Sequence, residues 1–226
     1  MTRPVSLASM LLGSVLLPAS VLAGPWPTVA HPDGARLDLI GQQVRLNGIP
    51  MRMERAHCAA PADTVVAHYR RTLGSPVAHS RVGDTQVLAR AQGDFFITVT
   101  VSPLRNAASE ALVAIADMPA ARHAAGQASG FVLPAGSELL SDMESIDGQI
   151  VARQWVLTNK HGLRANLEHF SARLDDRGLK PDGPPLAESA EALAQGFEGP
   201  AGEAKLVLVR HDGATQAVLT VLSRLP

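Results

Sequence analysis

The sequence predicts an α+β fold. Two tandem small modules, each one helix packed on an antiparallel sheet in the order β-α-β-β-β, follow a signal peptide. Three observations lead there. The turn dipeptides Asn47-Gly48 and Asp147-Gly148 each stand early in a run of elements with one order: strand, helical stripe, closing glycine, proline-containing loop, apolar strands. Such dipeptides supply the positive φ that tight hairpins need. Between the runs, residues 119–130 (PAARHAAGQASG) are small and lack apolar periodicity, which reads as a flexible linker. A helix laid on one face of an antiparallel sheet buries one apolar stripe per element, so neither run needs a disulfide to hold a core.

The elements follow in order. Residues 1–23 carry a short basic start at Arg3, an apolar stretch from Val5 to about Leu17, and Val21-Leu22-Ala23 before Gly24. That is the arrangement of a secretory signal cleaved after Ala23. The apolar stretch is shorter than the ~20 residues a membrane span requires, and Gly13, Ser14 and Pro18 interrupt it. Residues 24–34 (GPWPTVAHPDG) read as an extended leader, and 35–118 as module 1. Arg36–Ile40 and Gln43–Leu46 look like short strands, and Pro50–His57 alternates as a half-buried strand does. Pro61 suits a helix start; Val65, Val66, Tyr69 and Leu73 recur at helical spacing, and Gly74 ends the run. Thr85–Arg90, Asp94–Val101 and Ala111–Ala116 read as strands, the second with Phe95, Ile97, Val99 and Val101 on one face.

Module 2 spans 131–226 in this reading. Glu138–Asp142 and Gln149–Leu157 read as strands, and Thr158 or Asn159 is placed to cap a helix. Leu163, Leu167, Phe170 and Leu174 give the clearest helical face in the chain, ended by Gly178. Lys205–Arg210, the turn Asp212-Gly213 and Thr215–Ser223 complete a hairpin. Ala187–Gly196 has helical propensity but occupies the place of a strand in the repeated order, and is read as strand.

Composition narrows the function. The formal net charge is −1 and aromatic residues make up 4 % of the chain, so neither a basic stripe nor stacking platforms for nucleic acid are in view. Cys58 is the one cysteine, which rules out an internal disulfide. It reads as a small buried apolar residue; a nucleophile or an intermolecular bridge is the alternative. Eight histidines raise the question of a metal, but neither H-E-x-x-H nor C-x-x-C occurs. His57 and Cys58 are adjacent in a strand and point to opposite faces. His161 and His169 lie two helical turns, ~12 Å, apart. GQASG (126–130) has its serine one place late for a nucleophile elbow. Asp175-Asp176 reads as a solvated face, and nothing in sequence around Glu188 and Glu191 would raise a carboxyl pKa for acid catalysis. The sequence therefore singles out no catalytic, cofactor-binding or metal-binding residue, and no cofactor.

The expectation is an exported, periplasmic or secreted chain without a transmembrane anchor in its mature part. It would be a non-catalytic protein-interaction or assembly accessory of the bacterial cell envelope or of a secretion machine, with protein partners in that envelope. The alternative is a small-ligand-binding protein or a hydrolase with its site between the modules. Oligomeric state stays open.

Overall fold

The computed structural model describes residues 26–41, 43–124 and 130–225. The signal-peptide reading of 1–23 lies outside the described residues. The first half of the chain supplies β1 (Arg36–Leu39), β2 (Gln43–Leu46), β3 (Ile49–Cys58), α1 (Ala62–Leu73), β4 (Ala78–Val82), β5 (Thr85–Gln92), β6 (Phe95–Pro103) and β7 (Ser109–Asp117). After α2 (Met118–Ala124) come β8 (Glu138–Asp147), β9 (Ile150–Asn159) and α3 (Leu163–Asp175). Two short strands, β10 (Lys180–Pro181) and β11 (Ala187–Glu188), precede β12 (Ala192–Gly199), β13 (Gly202–His211) and β14 (Ala214–Arg224).

These elements correct the expected fold class. All fourteen strands of the described residues join one sheet, along the path β10-β12-β13-β14-β9-β8-β2-β3-β7-β6-β5-β4, with β1 on β3 and β11 on β12. Strand accounts for 53 % of the described residues and helix for 16 %, so the protein is mostly antiparallel sheet rather than two tandem helix-on-sheet modules. The joint is β2 against β8, with Val44 opposite Ser145 and Arg45 opposite Glu144. Two separate sheets would leave both strands as open edges with unpaired N–H and C=O groups; pairing them satisfies those groups. Long-range pairing of this kind leaves no local mark in a sequence.

Directly opposed residues in a sheet share a face. The register Met51–Val44–Ser145–Ala152 across the joint therefore puts Ala56 of β3 and Leu157 of β9 on one face. Both apolar cores form on that face. Under α1, Val65, Val66, Tyr69 and Leu73 meet Leu88, Ile97, Val99 and Val113. Under α3, Leu163, Phe170 and Leu174 meet Trp155, Leu193, Leu206 and Leu219, while Leu167 is partly buried. The opposite face is packed by neither α1 nor α3 and leaves Phe96, Val207 and Val209 exposed.

The halves of the sheet share a strand order: β2-β3-β7-β6-β5 on one side of the joint, β8-β9-β14-β13-β12 on the other. Small contacts recur with it. Ser109 Oγ donates to Ala60 O at 2.8 Å and Thr215 Oγ1 to His161 O at 2.6 Å, each tying a helix entry to the neighbouring strand. The two hairpin turns differ, however. Asn47 and Gly48 both have positive φ and form the turn between Leu46 and Ile49, whereas in the second half only Gly148 does.

Other elements depart from expectation locally. The first part of the presumed linker is helical: Asp117 accepts a hydrogen bond from Ala120 N at 3.0 Å, an N-cap followed by Pro119 in the first turn. Residues 125–129 lie outside the described residues. Helix α3 begins after Gly162 rather than under a side-chain cap from Thr158 or Asn159, because β9 runs through Asn159. Residues 192–199 are strand, and the Ser189 hydroxyl accepts from Glu191 N and Ala192 N, turning the chain where propensity favours helix.

Candidate functional site

Among the described residues, four groupings of polar side chains bear on possible chemistry. The first lies under the segment 26–34. This segment has no regular hydrogen-bonding pattern, yet Val29 is buried in the α1 core and Trp26 packs on Phe95, with the Arg52 guanidinium over its ring. His31 ties it down. Its Nδ1 lies 2.8 Å from the Tyr69 hydroxyl and its Nε2 2.9 Å from Glu54 Oε2. With the ring neutral, Tyr69 donates to Nδ1 and Nε2–H donates to the carboxylate, so every proton in the chain has one direction. His68 Nε2 donates to Ala30 O at 3.0 Å.

A carboxylate, an imidazole and a hydroxyl in series have the connectivity of a nucleophile relay. The buried end argues otherwise. Tyr69 is fully buried, and its phenol is pushed well above its ordinary value by burial first, then by Cys58 and Glu54. A hydroxyl held protonated inside a core cannot reach a substrate. Cys58 is buried too, and burial raises its pKa, the opposite of an activated thiolate.

The second half does the same job with apolar groups. His169 Nε2 donates to Val132 O at 2.8 Å, as His68 does to Ala30. Phe131 is buried where Val29 is, and Leu133 packs on the core where His31 sits. Phe170 takes the place of Tyr69. The polar chain is thus one way of holding a strap across a helix, and Leu133 with Phe170 is another.

The second cluster brackets the joint. Arg153 donates to both oxygens of Asp142, at 3.0 and 2.8 Å, and stands 3.6 Å from Glu144. Its pKa is raised chiefly by the hydrogen bond to Asp142, against an opposing effect of burial. Asn47 clamps the same point: its side chain accepts from Asp142 N and its N–H donates to Asp142 O. The joint is a paired and clamped strand contact. Nearby, Arg177 donates to Gly130 O and lies over Phe131; burial, then the Arg153 charge, lowers its pKa.

The third cluster is on the face away from α1 and α3. His57 Nε2 bonds Asp38 at 2.9 Å, and Arg55 Nε lies 3.5 Å from Glu110, within ion-pair reach but outside hydrogen-bond geometry. The fourth is a groove of about 480 Å³ between α1 and the edge of the sheet, lined by Asp63, Val66, Ala67, Arg70, Arg71, His79 and Gln86.

The residues weighed in the sequence are scattered. His57 and Cys58 point to opposite faces, one toward Asp38 and the other into the core. His161 donates to Ala135 O and His169 to Val132 O, separately. No group of three or more His, Cys, Asp and Glu among the described residues is placed to hold a metal. The serine of GQASG lies outside the described residues. Asp176 pairs with Arg173 on an exposed face, and Glu188 pairs with Arg164 across from α3. Sequence reasoning missed the His31–Glu54–Tyr69 chain. The available signal was Glu54 itself, a charge on the same strand face as Ala56 and Cys58.

Comparison with protein-family models, with curated proteins and with solved structures found no match. No helix among the described residues is long and apolar enough to cross a membrane.

Proposed function

We propose that this chain is a non-catalytic interaction or assembly protein of the bacterial cell envelope or of a secretion machine, exported by the segment 1–23. One observation carries the reading. The most catalysis-like chain of groups, Glu54–His31–Tyr69, ends on a fully buried hydroxyl, and its counterpart in the second half is apolar. By contrast, the sheet ends in β4, a strand exposed along its whole length. An open edge is a ready acceptor for a partner strand. The matched strand orders support an internal duplication as the origin of the chain, its two copies now fused into one sheet. The alternative of a hydrolase or small-ligand site at the joint draws no support from the strand pairing found there.

The test is in-cell cross-linking of the tagged full-length chain, followed by purification of the envelope fraction and mass spectrometry. A protein partner recovered in near-stoichiometric amount is expected. A chain that purifies alone and turns over model esters, with turnover lost in His31→Leu, would replace this reading with the enzymatic one.

A further inference from the structure

We infer that the edge of β4 and the groove beside α1 form a binding site for an extended, acidic segment of a partner protein. The segment would add to the sheet as a further antiparallel strand. This deepens the interaction reading above and rests on it.

The backbone comes first. β4 and β5 form a hairpin closed by Gly83-Asp84, with Val82 opposite Thr85 and Gly83 at positive φ. In a hairpin with a two-residue loop the flanking pair is hydrogen-bonded, and such pairs alternate with unbonded ones. Val82, Ser80 and Ala78 therefore face β5 with their N–H and C=O groups. Those of His79 and Arg81 point outward, where β4 has no neighbouring strand among the described residues. All five β4 residues are exposed. The opposite end of the sheet is defended: its edge is broken into two-residue pieces, β10 and β11, and Pro181, Pro184 and Pro185 lie along it. Proline lacks the donor an added strand would use. No proline interrupts β4.

The side chains then select the occupant. His79 and Arg81 lie on the helix side of the sheet, since they oppose Leu88 and Gln86, both buried there. Helix α1 packs on β5, β6 and β7 and leaves a groove over the edge. Asp63, the acidic group of that groove, is already engaged by Gln86 at 2.7 Å and Arg81 at 3.8 Å. Arg70 and Arg71, in the last turn of α1, have no carboxylate within ion-pair reach among the described residues. The second half marks what is special here. There the helix-to-edge ion pair recurs with reversed sign as Arg164–Glu188, and Ser171 and Ala172 stand where α1 has its two arginines. The groove of the first half is thus left with unneutralised positive charge beside outward-facing backbone groups. An added strand presents alternate side chains to one face. Carboxylates at alternating positions of the occupant would meet Arg70 and Arg71, and the intervening side chains would lie on the face away from α1, beside Ser80 and Val82.

The test uses the full-length mature protein and a labelled synthetic peptide of alternating Glu and Val, with a Lys-for-Glu version as control, followed by fluorescence anisotropy. Saturable binding of the Glu peptide alone is expected. Arg70→Glu/Arg71→Glu should weaken it about tenfold or more. His79→Pro, which removes an outward N–H, should abolish it while His79→Ala retains it, with the melting curves of all variants checked. Equal binding of the Lys peptide, or indifference to His79→Pro in a folded protein, overturns strand addition. Binding of phosphatidylglycerol vesicles with the same arginine dependence but no peptide binding also overturns it. Photo-cross-linkers at Ser80 and at Val207 separate the two levels of the argument. Adducts at Ser80 that disappear with Arg70→Glu/Arg71→Glu support the site. Adducts at Val207 alone overturn the site and leave the interaction reading standing; adducts at neither position count against both.

Discussion

Replacing Tyr69 by Phe removes one oxygen from the core and nothing else. Phe170 already occupies the corresponding place under α3, so the ring fits. The loss is the 2.8 Å bond to His31 Nδ1, and the imidazole nitrogen then has no partner in a site where the His31 side chain is 11 % exposed. A neutral hydrogen bond contributes about 1 kcal/mol, and stranding a mostly buried acceptor costs about 1–3 kcal/mol. Tyr69→Phe should therefore destabilise by about 1–2 kcal/mol. His31→Leu leaves the Tyr69 hydroxyl stranded instead and should cost about the same. The double variant rebuilds the Leu133–Phe170 arrangement, strands nothing, and should recover most of the loss. The two single losses sum to about 2–4 kcal/mol, so the coupling energy across this cycle is expected at about 2–3 kcal/mol. Urea unfolding followed by tryptophan fluorescence is the assay, with Trp26 on the strap itself and Trp155 in the other core reporting together. A double variant as unstable as the sum of the singles would refute the equivalence of the two straps and the structural role given to the chain.

Tyr69 is the only tyrosine, so phenolate absorbance reads it alone. Its pKa is raised in the folded state, chiefly by burial. The unfolded chain therefore loses its proton first, and stability present below about pH 10 falls as pH rises beyond it. Ionisation should appear together with loss of tryptophan signal, not before it, and Tyr69→Phe should shift the alkaline unfolding to higher pH relative to its own neutral stability. A phenolate that forms reversibly in the native protein near pH 10 would contradict the burial. At the joint, Arg153→Met strands the carboxylate of Asp142, whose side chain is 9 % exposed, and should cost about 2–4 kcal/mol in urea unfolding. The pair Asp142→Leu/Arg153→Met should be far milder, and equal losses would mean that the ion pair does not clamp the strands.

The sequence by itself determined the two long helices and most of the strands, but not β4, α2 or β10. Val65, Tyr69 and Leu73 at helical spacing define α1, and Leu163, Phe170 and Leu174 define α3. The alternation of Phe95, Ile97, Val99 and Val101 defines β6 and its buried face. These patterns are legible because a period of 3.6 or 2 is written within a dozen residues. The helix at Met118–Ala124 was read as linker, because its small residues carry no apolar stripe to mark a helical period. Only the tertiary structure decided that the two halves share one sheet. Val44 meets Ser145 across the joint, a backbone pairing that most residue types can make and no local pattern announces. It likewise decided that His31, Glu54 and Tyr69 form one chain, since strap, strand and helix bring them together from distant positions. The charge left open beside β4 has the same origin. Arg70 and Arg71 stand out in sequence only as an adjacent basic pair on a helix. They meet His79 and the edge of β4 because α1 stops short of the last strand, which leaves both groove and backbone edge uncovered among the described residues.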